Sequence, residues 1–247
     1  VNTMTVFILL NPLFLIWTGF VAAASNIVLQ VGGITPFTTI DFPGRLAAVI
    51  FCQGCPWRCQ YCHNRHLLPA GENGKYPWEE VLRWLETRRG LLEGVVFSGG
   101  EPLLQRQLPE AVEQLHRDGF EVALHTSGVY PERLRKILPS VEWVGLDIKA
   151  PFDEYDVITG GGNGERVRDS LGFVLASGKA HELRCTLDPD FFNVGRAEKM
   201  ARQLVEMGAD HLVLQSCRDE VHRRKRPVSK EIIASFERFL PSVTCRF

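Results

Sequence analysis

Leu46-Ala-Ala-Val-Ile-Phe51 runs through Cys52-Gln-Gly54 into Cys55-Pro-Trp-Arg-Cys59-Gln-Tyr-Cys62, joining an apolar stretch to three closely spaced thiols. Six apolar residues suit one buried strand, and Gly54 and Pro56 keep either strand or helix from continuing. The cysteines therefore fall in a loop at the strand's C-terminal end. Free thiols ionise near a pKa of roughly 8.5 and repel one another once charged, so thiols packed this closely make sense around a neutralising cation. An iron-sulfur cluster or zinc answers that need. Zinc would draw four ligands from Cys52, Cys55, Cys59, Cys62 and His63, although zinc knuckles usually come from separated turns. A cluster held by three cysteines leaves one iron open, as catalytic metal sites do. Disulfides fit poorly, because seven cysteines in 247 residues is a low density and an odd number.

The alternation of apolar run and helical pattern continues along the chain. Strands are predicted over 46–51, 94–98, 121–126, 141–148, 182–187 and 211–215, and helices over 77–89, 104–118, 131–138, 165–176 and 196–207. A last helix over 229–239 begins with a Ser cap and an early Glu. Before the first strand, 28–31 is a short apolar stretch and 35–44 an irregular segment turning at Pro43-Gly44. Six strand-helix units predict an α/β fold with a parallel sheet, as a partial (β/α)6 barrel or an open doubly wound sheet. In either case ligands gather at the strands' C-terminal ends, where the cysteine loop lies.

With 45% hydrophobic and 23% charged residues the chain can bury one sizeable core. A net charge of -1 gives no pull toward nucleic acid or anionic membrane. The basic run 218–226, with His222-Arg-Arg-Lys-Arg226, reads as a solvated face or a partner-docking patch. Residues 4–24 are the compositional outlier. They approach the roughly 20 apolar residues that span a bilayer, with a kink at Asn11-Pro12. Ala22-Ala-Ala24 imitates a signal-peptide cleavage site, but no basic region precedes it. Residues 1–25 are thus expected to be a membrane anchor or the product of a misplaced start, ahead of one domain over 26–247.

Three further strand ends carry polar motifs. The second ends in Phe97-Ser-Gly-Gly-Glu-Pro102, whose glycines let a ligand approach the backbone. The third ends in Leu124-His-Thr-Ser-Gly128. In Leu146-Asp-Ile-Lys149 an acid and a base alternate onto one face, away from Leu146 and Ile148.

Together these residues resemble the radical S-adenosylmethionine (radical SAM) superfamily over about residues 28–216. The stretches Thr39-Ile-Asp-Phe-Pro-Gly44, Cys62-His-Asn64, Asp147-Ile-Lys149 and Ile158-Thr-Gly160 are similar to the anaerobic ribonucleoside-triphosphate reductase activating proteins, relatives of pyruvate formate-lyase activating enzymes. The resemblance implies a partial barrel in which Cys55, Cys59 and Cys62 hold one four-iron four-sulfur cluster, its fourth iron left for the amino and carboxylate groups of S-adenosylmethionine. It implies that Gly99, Gly100 and Glu101 hold the methionine amino group and that Tyr61 lies beside the adenine. Asp147 and Lys149 would contact the ribose and methionine ends, and Gln215 would close the pocket. Cys52, Cys185, Cys217 and Cys245 have no ligand role. The implied activity is reductive cleavage of the cofactor and formation of a glycyl radical on the reductase, in the cytoplasm, with a flavodoxin or ferredoxin as electron donor. Thr126-Ser127-Gly128 stands where relatives often have Thr-Asn-Gly.

Overall fold

The computed structural model describes residues 27–71, 74–218 and 224–247. One sheet of eight strands runs in chain order: β1 (Val31–Thr38), β2 (Ala47–Cys52), β3 (Gly94–Gly99), β4 (Glu121–Thr126), β5 (Trp143–Asp147), β6 (Ala180–Leu187), β7 (His211–Ser216) and β8 (Ser242–Arg246). From β2 onward every neighbouring pair is parallel, while β1 returns antiparallel on β2. Each parallel step needs a long return, and helices supply it. These are α1 (Trp78–Glu86), α2 (Leu108–Arg117), α3 (Pro131–Ile137), α4 (Tyr155–Thr159) with α5 (Gly164–Ala176), α6 (Val194–Glu206) and α7 (Lys230–Glu237). Among the described residues no ladder joins β1 to β8, so the architecture is a partial barrel with two edges.

The strand alternation sorts side chains into two layers. Phe97, Leu124, Leu146, Leu183 and Leu214 pack outward against Leu115, Leu134, Leu171 and Leu204 of the helices. Each large aliphatic side chain buried this way contributes roughly 1.5–3 kcal/mol. The other parity faces inward, where Phe42, Ala47, Val49, Val96, Ala123 and Trp143 form a second, smaller core. Continuing the same inward parity toward the strand ends gives Ser98, His125, Asp147, Arg184 and Gln215. Apolar filling below and polar groups above place the functional edge where parallel strands put it.

Two strands were not expected. The segment 35–44, read as irregular, begins as part of β1, in which Gly32, Gly33 and Pro36 mask the strand pattern. Register shifts between Val31 and Gly33 and between Thr35 and Thr38 accommodate them, as edge strands allow. Likewise β8 is largely exposed and shows no apolar alternation, yet Arg246 reaches back to Glu182 with contacts of 2.8 and 2.5 Å. Seven strands, not six, therefore run parallel. The predicted cap of the last helix is present, with Ser229 Oγ accepting from Ile232 N at 3.3 Å. The hydrophobic segment 1–25 lies outside the described residues, and among those described no helix is long and apolar enough to cross a membrane.

Candidate functional site

The cysteine loop leaves β2 through Gly54, at φ 94°, where the left-handed backbone suits only glycine without strain. Main-chain bonds then fix it on two sides: Gly54 N donates to Leu67 O at 2.8 Å and Arg58 N to Thr159 O at 2.8 Å, while Gln60 N donates to Ile158 O at 3.2 Å. Trp57, 4% exposed, packs its ring 5.7 Å from that of Tyr155 on α4. The short helix α4, which sequence periodicity did not separate, is thus the clamp that holds the loop. Cys55, Cys59 and Cys62 are free thiols, partly buried, along the wall of one cleft. Burial pushes the Cys55 thiol up to about 12 and raises Cys59 as well, so both stay protonated until a cation displaces the proton.

Beneath the loop, β3 ends in a glycine ledge. Gly100 N donates to Cys52 O at 3.0 Å and Glu101 N to Gly54 O at 2.9 Å. The backbones lie so close that a Cβ on Gly99 would come within 2.5 Å of Cys52 N, and one on Gly100 within 2.2 Å of Gly54 O. Only glycine permits this contact. Glu101 then turns away from the cleft and is fully buried. Its carboxylate accepts from Leu103 N (3.1 Å), Thr126 Oγ1 (2.7 Å), Ser127 N (2.9 Å) and Ser127 Oγ (2.5 Å). Burial lifts its pKa above the usual range, and these four bonds pull it part of the way back. All its strong acceptor directions are used, so Glu101 braces the end of β3 against the end of β4.

On the opposite wall the inward residues form a charged chain. Lys149 Nζ lies 3.3 Å from Asp147 Oδ2 and 5.8 Å above the Tyr61 ring, and Arg184 Nε donates to Asp147 Oδ1 at 3.1 Å. Burial opposes ionisation of Asp147, yet the two cations beside it hold its carboxyl below the usual range. Arg184 continues to His125 Nδ1 at 3.4 Å, and His125 Nε2 donates to Asp41 O at 2.8 Å, which defines the tautomer. Burial and the nearby guanidinium lower the His125 pKa to about 3, so the ring is neutral. Gly145 makes the crossing possible, since a Cβ there would lie 2.8 Å from Arg184 Cζ. Tyr61 adds a buried hydroxyl that has no hydrogen-bond partner among the described residues.

The cleft bounded by these groups measures about 850 Å³ to its open mouth. Cys55, Cys59, Cys62, Tyr61, Gly99, Gly100, Asp147 and Lys149 all line it, whereas Glu101 and Gln215 do not. Gln215 lines a neighbouring cleft, because β7 carries it to the far side of Arg184. Cys52 is buried in the helix-facing core, and His63 lines the thiol cleft with its Nε2 accepting from Arg218 N at 3.1 Å. Cys185 and Cys217 are also buried, and Cys245 is exposed. Arg184 and His125 went unassigned in the sequence. Their signal was the inward alternation Glu182, Arg184, Thr186, which reads polar at every second position of β6. In the basic run, Arg226 is taken up by Asp188 and Asp190 at 3.0 and 2.7 Å, and 219–223 lie outside the described residues.

Residues 49–187 match the family model described as the radical SAM superfamily. The chain belongs to that superfamily. A Methanocaldococcus jannaschii protein named for glycyl-radical enzyme activation is 29% identical over 180 residues, 70% of this chain and 74% of that one. The pyruvate formate-lyase-activating enzyme of Clostridium pasteurianum is 34% identical over 139 residues, and the match covers 54% of this radical SAM chain and 58% of the relative. A radical SAM methyltransferase from Sphaerobacter thermophilus matches in structure with a TM-score of 0.61 at 19% identity, over 83% of this chain and 67% of its own. QueE from Escherichia coli gives 0.56 at 18% identity, over 89% and 94%. At such identities these two likenesses concern the fold alone. The superfamily binds a four-iron four-sulfur cluster and S-adenosylmethionine. The residue types suit both: three soft thiol donors share one loop, although among the described residues no three ligating side chains are gathered as a metal site, and the Tyr61 hydroxyl lacks a partner among those residues beside paired charges suited to an amino acid.

Proposed function

We propose that this radical SAM protein forms a glycyl radical on a partner enzyme, with anaerobic ribonucleoside-triphosphate reductase as the partner. The observation that carries the chemistry is the convergence on one cleft of the three-thiol loop, the Gly99-Gly100 ledge and the Lys149-Asp147-Arg184 chain. Cys55, Cys59 and Cys62 would hold three irons of the cluster. The main chain at Gly99 and Gly100 would receive the methionine amino group, Asp147 and Lys149 would meet the ribose and carboxylate, and Tyr61 would flank the adenine. Glu101 serves from behind, keeping the ledge at a fixed distance from β4. When bound and reduced by a flavodoxin- or ferredoxin-type donor, the cluster and cofactor supply the one-electron chemistry that removes a hydrogen atom from a C–H bond. The chain's own part is to bind, orient and shield.

That the hydrogen comes from a polypeptide glycine is supported by the relatives named for glycyl-radical enzyme activation and pyruvate formate-lyase activation. The second of these favours pyruvate formate-lyase as the alternative partner. The test is anaerobic reconstitution with iron and sulfide, addition of S-adenosylmethionine and a reductant, and electron paramagnetic resonance with each candidate partner in turn. A glycyl doublet on the reductase is the expected result. A doublet on pyruvate formate-lyase alone reassigns the partner, and cofactor cleavage with neither protein radicalised overturns the activase reading.

A further inference from the structure

The ion-paired wall of the cleft ends in a residue that bears no charge, His125. Within that wall Asp147 is the member most open to the cleft, its side chain 39% exposed, while Lys149 and Arg184 are nearly covered. Each carboxylate oxygen accepts from one cation, Oδ1 from Arg184 Nε and Oδ2 from Lys149 Nζ, and each keeps a second lone pair. A carboxylate so disposed can accept from two neighbouring hydroxyls at once. How well it does so depends on where the guanidinium holds it.

Arg184 itself needs holding. It lines both the cofactor cleft and the neighbouring cleft that contains Gln215, so open space lies on its far side. Register sets it level with Asp147, and its guanidinium lies back across Gly145 toward His125, which is level with that glycine. There Arg184 Nη1 meets His125 Nδ1 at 3.4 Å. Because the His125 proton sits on Nε2 and is donated to Asp41 O, Nδ1 is an acceptor, and burial beside the guanidinium keeps the ring neutral. The anchor behind the ring is fixed in turn. Asp41 follows β1 in a tight segment where Thr38 Oγ1 donates to Asp41 Oδ2 at 2.5 Å and Phe42 is buried in the inner core. Main chain, imidazole, guanidinium and carboxylate thus form one line of bonds from that segment to the cleft.

We propose that His125 is a positioning residue for S-adenosylmethionine: through Arg184 it fixes the Asp147 carboxylate where both ribose hydroxyls reach it. The inference rests on the assignment of Asp147 to the ribose made above and deepens it. It also gives a role to the Thr39-Ile-Asp-Phe-Pro-Gly44 stretch, whose Asp41 carbonyl selects the tautomer that presents an acceptor to Arg184. The His125 ring packs edge-on against Trp143 with centroids 5.4 Å apart. Any ring of that size would serve the packing, whereas the line of bonds needs both nitrogens.

The test reads binding rather than turnover, by anaerobic isothermal titration calorimetry of the cluster-loaded protein with S-adenosylmethionine and with its analogue lacking both ribose hydroxyls. The wild type should bind the analogue about tenfold or more weakly, the scale of hydrogen bonds to a charged group. His125→Phe keeps the ring and its volume but removes both nitrogens. At unchanged iron content it should weaken S-adenosylmethionine about tenfold and move the analogue less than about twofold, so that the ratio between the two ligands collapses. His125→Gln, with a donor for Asp41 O and an acceptor for Arg184, should restore most of that ratio. His125→Leu gives the same comparison if the phenyl variant does not fold. Equal weakening of both ligands, or a full ratio retained without the imidazole, shows that the ring serves packing and overturns the proposal, while loss of the ratio in Asp147→Asn keeps the ribose assignment standing. If the wild type and Asp147→Asn are alike indifferent to the hydroxyls, the ribose assignment falls and the proposal with it.

Discussion

Glu101 shows at the level of one residue how a motif residue can stand beside a cleft without lining it. It stands in the Gly-Gly-Glu-Pro run beside the ledge, but its carboxylate is enclosed by Thr126, Ser127 and Leu103. Glu101→Ala should therefore lower stability by about 3 kcal/mol, the scale of losing bonds to a buried charge and leaving their donors unpaired. Denaturant titration measures that loss, and equilibrium dialysis should show weaker S-adenosylmethionine binding as the ledge loosens. Glu101→Gln keeps the volume but turns an N–H toward donors, so it should recover only part of either. His125 makes a pH-dependent contribution. Its pKa, near 6.5 when unfolded, drops to about 3 in the fold, so the unfolded chain binds the extra proton first as pH falls. Stability from this group is complete above about pH 6.5 and declines toward pH 3, by up to roughly 1.4 kcal/mol per unit. His125→Gln preserves a donor to Asp41 O and an acceptor for Arg184. It should flatten the dependence of the melting temperature on pH between 4 and 6.5, and an unchanged slope would show that other groups set it.

Among the elements, the cysteine loop and its clamp α4 act together. Replacing Cys55, Cys59 or Cys62 with Ala should each remove most reconstituted iron, measured by colorimetric iron assay and by the visible absorption of the cluster. Cys52→Ala should retain it and cost only about 1 kcal/mol for the small cavity left in the core. Loss of iron in Cys52→Ala would return a four-ligand site to consideration. Gly160, at φ 69°, ends α4 in the left-handed conformation while Thr159 O holds Arg58 N. Gly160→Ala should cost about 1 kcal/mol and reduce iron occupancy by loosening the loop, with the helix layer otherwise intact.

For the whole molecule, the sheet among the described residues begins at Val31 and ends at Arg246. Deleting 1–25 should leave the melting temperature within about 2 °C of the full chain and iron content unchanged, and an insoluble product would assign that segment a structural role. The local signals carried far: apolar runs marked β2 to β7, turn residues marked their ends, and the Cys55, Cys59, Cys62 spacing marked the loop that lines the cleft, because each depends on neighbours a few positions apart. What sequence patterns left open were features set by lateral register. β1 and β8 became strands through pairing with a neighbour, against weak propensities of their own. Arg184 met Asp147 at its own level and reached back to His125, which lies level with Gly145, because Gly145 leaves the space between them. Glu101 turned from the cleft to Ser127, and Gln215 fell beyond Arg184, for the same reason: a residue's place along its strand is written in the chain, but the residue beside it is chosen by contacts dozens of positions away.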